Sequence, residues 1–89
     1  MIIIAYSSKY LAARKKFLKN NSKLLDKTIK AIFLFVKNPK HPSLNLEKLK
    51  GTKIWTIRID TGNRIFFYWI DESTALFIDI GKHDKYRKY

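Results

Sequence analysis

Two periodicities divide the chain. Apolar residues recur at helical spacing from residue 10 to residue 36, and alternate or cluster in short runs from residue 54 to residue 80. Before the helical part, "MIIIAY" (1–6) reads as a short apolar strand. Ser7 and Ser8 then offer N-cap oxygens for a helix starting around Lys9. In that helix Tyr10, Ala13 and Phe17 share a face with Leu11 and Leu18 beside them, while Arg14, Lys15, Lys16 and Lys19 point away. "NNS" (20–22) breaks the pattern, and Ser22 is the expected cap of a second helix. There Leu25, Ile29, Ile32 and Val36 form the stripe, widened by Leu24 and Phe33, with Lys23, Lys27, Lys30 and Lys37 on the polar side. Asn38 and Pro39 end it. The pair predicts an antiparallel helical hairpin with one apolar and one basic side.

"PKHPSLNLEKLKG" (39–51) is a linker, and beyond it the period changes to two. "IWTIRID" puts Trp55, Ile57 and Ile59 on one face and Thr56, Arg58 and Asp60 on the other. "TGN" marks a turn; "RIFFYWI" is nearly all apolar, as in a central strand covered on both faces; "DEST" marks another turn, and "ALFIDIG" a last strand. Short connections favour antiparallel hairpins. The prediction is one α+β domain over residues 1–89 in the order β-α-α-β-β-β, its helical hairpin laid on one face of an antiparallel sheet. Phe33, Phe35, Phe66, Phe67, Tyr68, Trp69 and Phe77 sit at core spacing and are assigned to the core rather than to a base-stacking platform.

Composition narrows the functional classes. No cysteine is present, so a disulfide framework and a thiolate zinc site are excluded, and His41 and His83 lie too far apart in sequence to suggest a metal motif. "MIIIA" is too short for a signal-peptide core and no run approaches a membrane span, so cytoplasmic residence without membrane or metal is expected. The net charge of +12 is unevenly placed: residues 1–53 carry thirteen Lys or Arg against two acids, residues 54–89 six against five. Such a surface favours polyanions, because each neutralised phosphate releases a condensed counterion. A solubilising lysine face is the alternative reading of the same charge.

"HPSLNLEKLKG", "IWTIRIDTGNRIFFYW" and "FIDIGKHDKY", in this order behind two basic helices, resemble the RelE/ParE superfamily of toxin–antitoxin toxins, above all its YoeB- and YafQ-like branch. The resemblance spans nearly the whole chain. It implies a type II toxin held by a cognate antitoxin whose acidic or amphipathic segment shields the cleft or the basic face. It further implies a ribosome-dependent mRNA endoribonuclease, with rRNA and mRNA as partners and no cofactor. In such chemistry a base helps the ribose 2′-OH attack the adjacent phosphate, an acid protonates the leaving 5′-oxygen, and cations hold the added negative charge. A ParE-like toxin that inhibits gyrase without nuclease activity, and an inactive basic nucleic-acid-binding remnant, are the other readings.

Residue by residue, His83 just past the last strand matches the family's acid–base histidine, and imidazole exchanges protons near neutral pH. Arg64 matches the arginine opening the third strand; its guanidinium suits a phosphorane, although an ion pair to Asp60 across the "TGN" turn is the structural alternative. Glu47, four residues before Gly51, matches the general base, with Lys48, Lys50 and Lys53 as electrostatic stabilisers. Tyr86 offers a phenol for acid work or a ring for stacking, whereas Tyr89 is expected to fray. Arg58 contacts RNA or neutralises Asp60, Lys82 reaches phosphate or solvent, and His41 is structural.

Overall fold

A computed structural model describes all 89 residues, Met1–Tyr89. The element order is β1 (Ile3–Tyr6), α1 (Ser8–Leu18), α2 (Ser22–Lys37), a 3-10 turn (Pro42–Leu44), β2 (Glu47–Lys48), β3 (Trp55–Asp60), β4 (Asn63–Trp69), β5 (Thr74–Lys82) and a C-terminal 3-10 helix (His83–Lys88). The five strands form one sheet in the order β1-β5-β4-β3-β2. Strands β2 to β5 pair antiparallel, as the short connections predict, but β1 pairs with β5 in parallel, so the sheet is mixed. The reason is the helical hairpin, which carries the chain across the sheet between β1 and the antiparallel meander. The linker also contributes a short strand, β2, which alternation over two residues is too brief to announce.

The helix starts follow elementary capping. Ser7 accepts from the Tyr10 N–H at 3.0 Å and begins α1. For α2 the cap is Asn21, whose Oδ1 takes the Leu24 N–H at 3.0 Å; Ser22, expected in that role, is the first helical residue. His41 caps the 3-10 turn by accepting the Ser43 N–H on Nδ1, a structural role.

The core lies between the helices and one face of the sheet. Tyr10, Ala31 and Phe35 meet Ile57, Ile65, Phe67, Ala75, Phe77 and Ile80, with Leu44 closing the edge. Phe35 is central, its ring 5.0 Å from Phe67, 5.7 Å from Trp69 and 5.9 Å from Phe77. Seating it turns α2 so that Leu24, Thr28, Ala31 and Phe35 face inward. Thr28 is tolerated there because its hydroxyl donates to the Leu24 carbonyl at 2.8 Å. The expected stripe is thereby displaced: Leu25, Ile29 (56% exposed) and Phe33 (59% exposed) face solvent, and Phe33 is not a core residue. Tyr68, also assigned to the core, is exposed near the end of β4. No helix is long and apolar enough to cross a membrane.

Candidate functional site

The second face of the sheet is polar, and the register explains how. Directly opposed residues in a ladder point to the same side. Glu47 on β2 opposes Thr56 on β3, Thr56 opposes Phe66 on β4, and Phe66 opposes Asp79 on β5. Next to this row, Arg58, Arg64 and Gly81 oppose one another. Between Phe66 and Phe67 the β4–β5 register shifts by a bulge that leaves Ile78 unpaired. The bulge reverses the phase of β5, so Phe77 enters the core while Asp79, two residues on, joins the polar face.

A cleft of about 180 Å³ opens on this face, lined by Glu47, Leu49, Thr56, Arg64, His83 and Tyr86. The four residues expected to do the chemistry therefore share one cavity. β2 supplies Glu47, β4 supplies Arg64, and the turn following β5 supplies His83 and Tyr86. The His83 backbone N–H donates to the Gly62 carbonyl at 2.8 Å, which fixes where the chain leaves the sheet. The imidazole and the Tyr86 ring then lie 5.6 Å apart. Glu47 accepts from the Asn45 amide at 2.8 Å and is otherwise exposed.

Arg64 is the unusual member. It is only 9% exposed, and its buried Nη1 has no hydrogen-bond partner. The alternative ion pair with Asp60 does not form. Asp60 is bound instead by the Gly62 N–H at 3.0 Å, the Asn63 amide at 2.8 Å and Lys27 at 3.7 Å. Burial pulls Arg64 below its ordinary pKa; Glu47 opposes this and Arg58 adds to it. A guanidinium remains protonated throughout the physiological range. An unpaired buried cation is expensive for a fold to keep, and this one borders a cavity that also contains an acid, an imidazole and a phenol. Such a set can grip an oxyanion and move protons on either side of it.

The remaining cations are dispersed. Lys48, Lys50 and Lys53 are exposed around β2 and the loop that follows, beside the cleft but not lining it. Arg58 lines a separate groove of about 240 Å³ with Lys27, Lys30 and Asp60, and its Nη2 reaches Thr61 at 3.5 Å. Lys82 borders a third hollow with Lys16, Lys85 and Lys88. Tyr89 does not fray. Its hydroxyl donates to Asp79 at 2.6 Å, and its ring lies 5.6 Å from Phe66. Thr56 and Leu49 in the cleft wall, and Asp79 behind it, were not singled out in the sequence. Thr56 was accessible through the alternation of β3, and Asp79 as the lone acid inside "ALFIDIG".

No protein-family model matches the sequence, and no curated protein matches it. Solved structures do. The YafQ structure from E. coli aligns with a TM-score of 0.75 at 13% identity, covering 96% of this chain and 97% of that one. A YoeB/ParE toxin from Agrobacterium tumefaciens aligns at 0.74 and 15% identity, with 92% and 99% covered. A YoeB-YefM complex from Staphylococcus aureus aligns at 0.71 and 22% identity, with 93% and 98% covered. The chain has the α+β fold of the YoeB- and YafQ-like toxins.

Proposed function

We propose that this chain is the toxin of a type II toxin–antitoxin pair within the RelE/ParE superfamily, and that it cuts mRNA on the ribosome. The observation that carries the reading is Arg64: a buried, unpaired guanidinium at a cleft shared with Glu47, His83 and Tyr86. An oxyanion is the ligand that satisfies it, and a phosphodiester brings the oxyanion together with protons to transfer. Glu47 takes the proton of the ribose 2′-OH as that oxygen attacks phosphorus. Arg64 holds the non-bridging oxygens as their charge grows. His83 gives its proton to the departing 5′-oxygen, and the Tyr86 ring and phenol border the same position. The products are a 2′,3′-cyclic phosphate and a free 5′-hydroxyl.

The lysines beside the cleft and on the helices supply long-range hold on rRNA and mRNA, which makes binding fall with salt. Acting on ribosomes, the protein works in the cytoplasm. Its antitoxin presents an acidic amphipathic segment. That segment fits the groove between α1 and α2, where Leu11, Leu18, Leu25, Ile29 and Ile32 are rimmed by Arg14 and Lys15.

The test is mRNA cleavage on programmed ribosomes, read by primer extension, with wild type beside His83→Ala. The expected result is a cut within the A-site codon that weakens at least ~100-fold in the variant. Growth arrest by wild type without any cut would favour a gyrase-type protein target. Salt-sensitive binding with neither cut nor arrest would leave a basic nucleic-acid-binding module.

A further inference from the structure

Asp79 lines no part of the cleft, yet it is the one carboxylate buried in the protein, its side chain 2% exposed. Its partners all come from the chain end, from α1 or from its own strand. Oδ1 accepts from the Ile80 N–H at 2.9 Å and from Lys85 Nζ at 2.8 Å; Oδ2 accepts from the Tyr89 hydroxyl at 2.6 Å. Lys9 of α1 lies 3.8 Å from Oδ2, donates to the Tyr89 hydroxyl at 2.8 Å, and sits 4.9 Å from the centre of that ring.

The placement has a local cause. β1 stops pairing with β5 at Phe77, so further along β5 the ladder on that side is open. Asp79 takes the Ile80 N–H, and Lys85 donates to the Ile80 carbonyl at 3.0 Å. Gly81 makes room for this: a Cβ there would stand 2.8 Å from Lys85 Cδ. Lys85 and Tyr89 in turn bracket Tyr86 in sequence and follow His83. The 3-10 helix that carries His83 and Tyr86 has no side-chain cap and no buried residue of its own. Short 3-10 segments hold their shape weakly without outside contacts.

We propose that Asp79 is a positioning residue for the cleft: by anchoring Lys85 and Tyr89 it holds the C-terminal turn across the sheet, so that His83 and Tyr86 stand beside Arg64. The anchor itself is independent of the reaction; its consequence for cutting rests on the nuclease reading above. Burial pushes the Asp79 carboxyl up, but the bonds from Lys85, Tyr89 and the Ile80 N–H outweigh burial and keep it below the usual carboxylate range. It is therefore a fixed anion at neutral pH, a fitting anchor for a basic tail.

The experiment compares wild type, Asp79→Asn and Tyr89→Phe, the last keeping the ring on Phe66 and removing only the hydroxyl. NMR hydrogen exchange and the contact between the His83 and Tyr86 rings are read on the free protein. Ribosome-dependent cleavage is read as kcat and KM. In both variants the amides of residues 85–89 are expected to exchange at least ~10-fold faster, and to speed up by a clearly larger factor than the core amides. The ring contact weakens, and kcat falls ~10-fold or more with KM within about twofold. In a His83→Ala, Tyr86→Phe background, Asp79→Asn causes no further loss, because it acts only through those two groups. Unchanged exchange and ring contact would overturn the anchor. A kcat that stays level while the turn loosens, or a loss of equal size in the double background, would overturn the positioning role. If wild type cuts no RNA, the nuclease reading fails by itself, and the ring contact in the free protein still decides whether Asp79 positions the turn.

Discussion

The two faces of the sheet are built on opposite terms. Under the helices, Phe35, Phe67 and Phe77 pack edge to face and tilted, the Thr28 hydroxyl is paired, and the neutral hydroxyl of Tyr10 is the one buried side-chain polar atom without a partner. On the other face a guanidinium nitrogen is buried without a partner, a carboxylate is buried among cations, and a turn without a core of its own is tied down by side chains. One face stabilises; the other holds strained electrostatics in place, at a cost the first face offsets. Changes on the first face should therefore lower stability and activity together. Changes on the second should separate them.

The largest effect is expected at Phe35. Phe35→Ala removes a ring that touches three other aromatics, and a truncation of this kind costs about 3–5 kcal/mol. In a domain of 89 residues that is a large share of the total stability. Urea denaturation should show the midpoint collapse, with cutting lost only as the folded fraction is lost. A shift of under about 1 kcal/mol would mean that α2 can repack and that the ring is not central.

Arg64→Met comes next and has the opposite signature. Cutting should fall ~100-fold to 1,000-fold, as for loss of a preorganised donor to a developing oxyanion. Stability should hold or rise by about 1 kcal/mol, since a buried group without a partner is removed. Ribosome cleavage and urea denaturation of the same preparation check both signs. A variant that loses stability along with activity would place Arg64 among the structural residues.

The smallest effect is the pH dependence that Asp79 imposes. Its carboxyl lies below the ordinary range, because bonds from Lys85, Tyr89 and the Ile80 N–H overcome the upward push of burial, with Lys9 of α1 also facing it. A depressed pKa contributes stability that is fully present above the unfolded value near 3.9, and that is lost as pH falls through the folded value. Asp60 is lowered as well; burial pushes it up, and the bonds from Asn63 and Gly62 and the charge of Lys27 outweigh that. The urea midpoint of wild type should therefore be flat from about pH 7 to 5 and decline below about pH 4. In Asp79→Asn the decline should be shallower, with the remainder due to Asp60 and to Asp71, whose carboxyl the Ser73 N–H and Thr74 also hold below the ordinary range. Equal slopes would show that Asp79 keeps an ordinary pKa in the fold.

How far each face could be read from the sequence follows from its physics. The helices, the three long strands and their order were legible because apolar periods of 3.6 and 2 persist over enough residues. The rotation of α2 was not: the stripe Leu25, Ile29, Ile32, Val36 is a good amphipathic pattern, and only the bulk of Phe35 against three partner rings decides against it. The parallel seat of β1 depends on where the hairpin crosses, which no local signal carries. On the polar face, Glu47, Arg64, His83 and Tyr86 were marked by resemblance and residue chemistry, and the structure places them around one cleft. Asp79 escaped because strict alternation puts it with Ala75 and Phe77. The bulge at Ile78 breaks that parity, and a bulge of one residue leaves no trace in an apolar run. Tyr89 escaped for the complementary reason: its anchor lies ten positions back in the strand.

The central claim is that the polar face cuts RNA through the ribose 2′-OH, and the product ends test it most directly. Wild-type protein would be added to ribosomes carrying a defined mRNA, and the fragments weighed by mass spectrometry. A 2′,3′-cyclic or derived 3′-phosphate on the upstream fragment, a free 5′-hydroxyl on the downstream one, and no cut where the scissile ribose is 2′-deoxy are the predicted result. A 5′-phosphate end, a cut that survives the 2′-deoxy substitution, or intact mRNA under a protein that still arrests growth would contradict it.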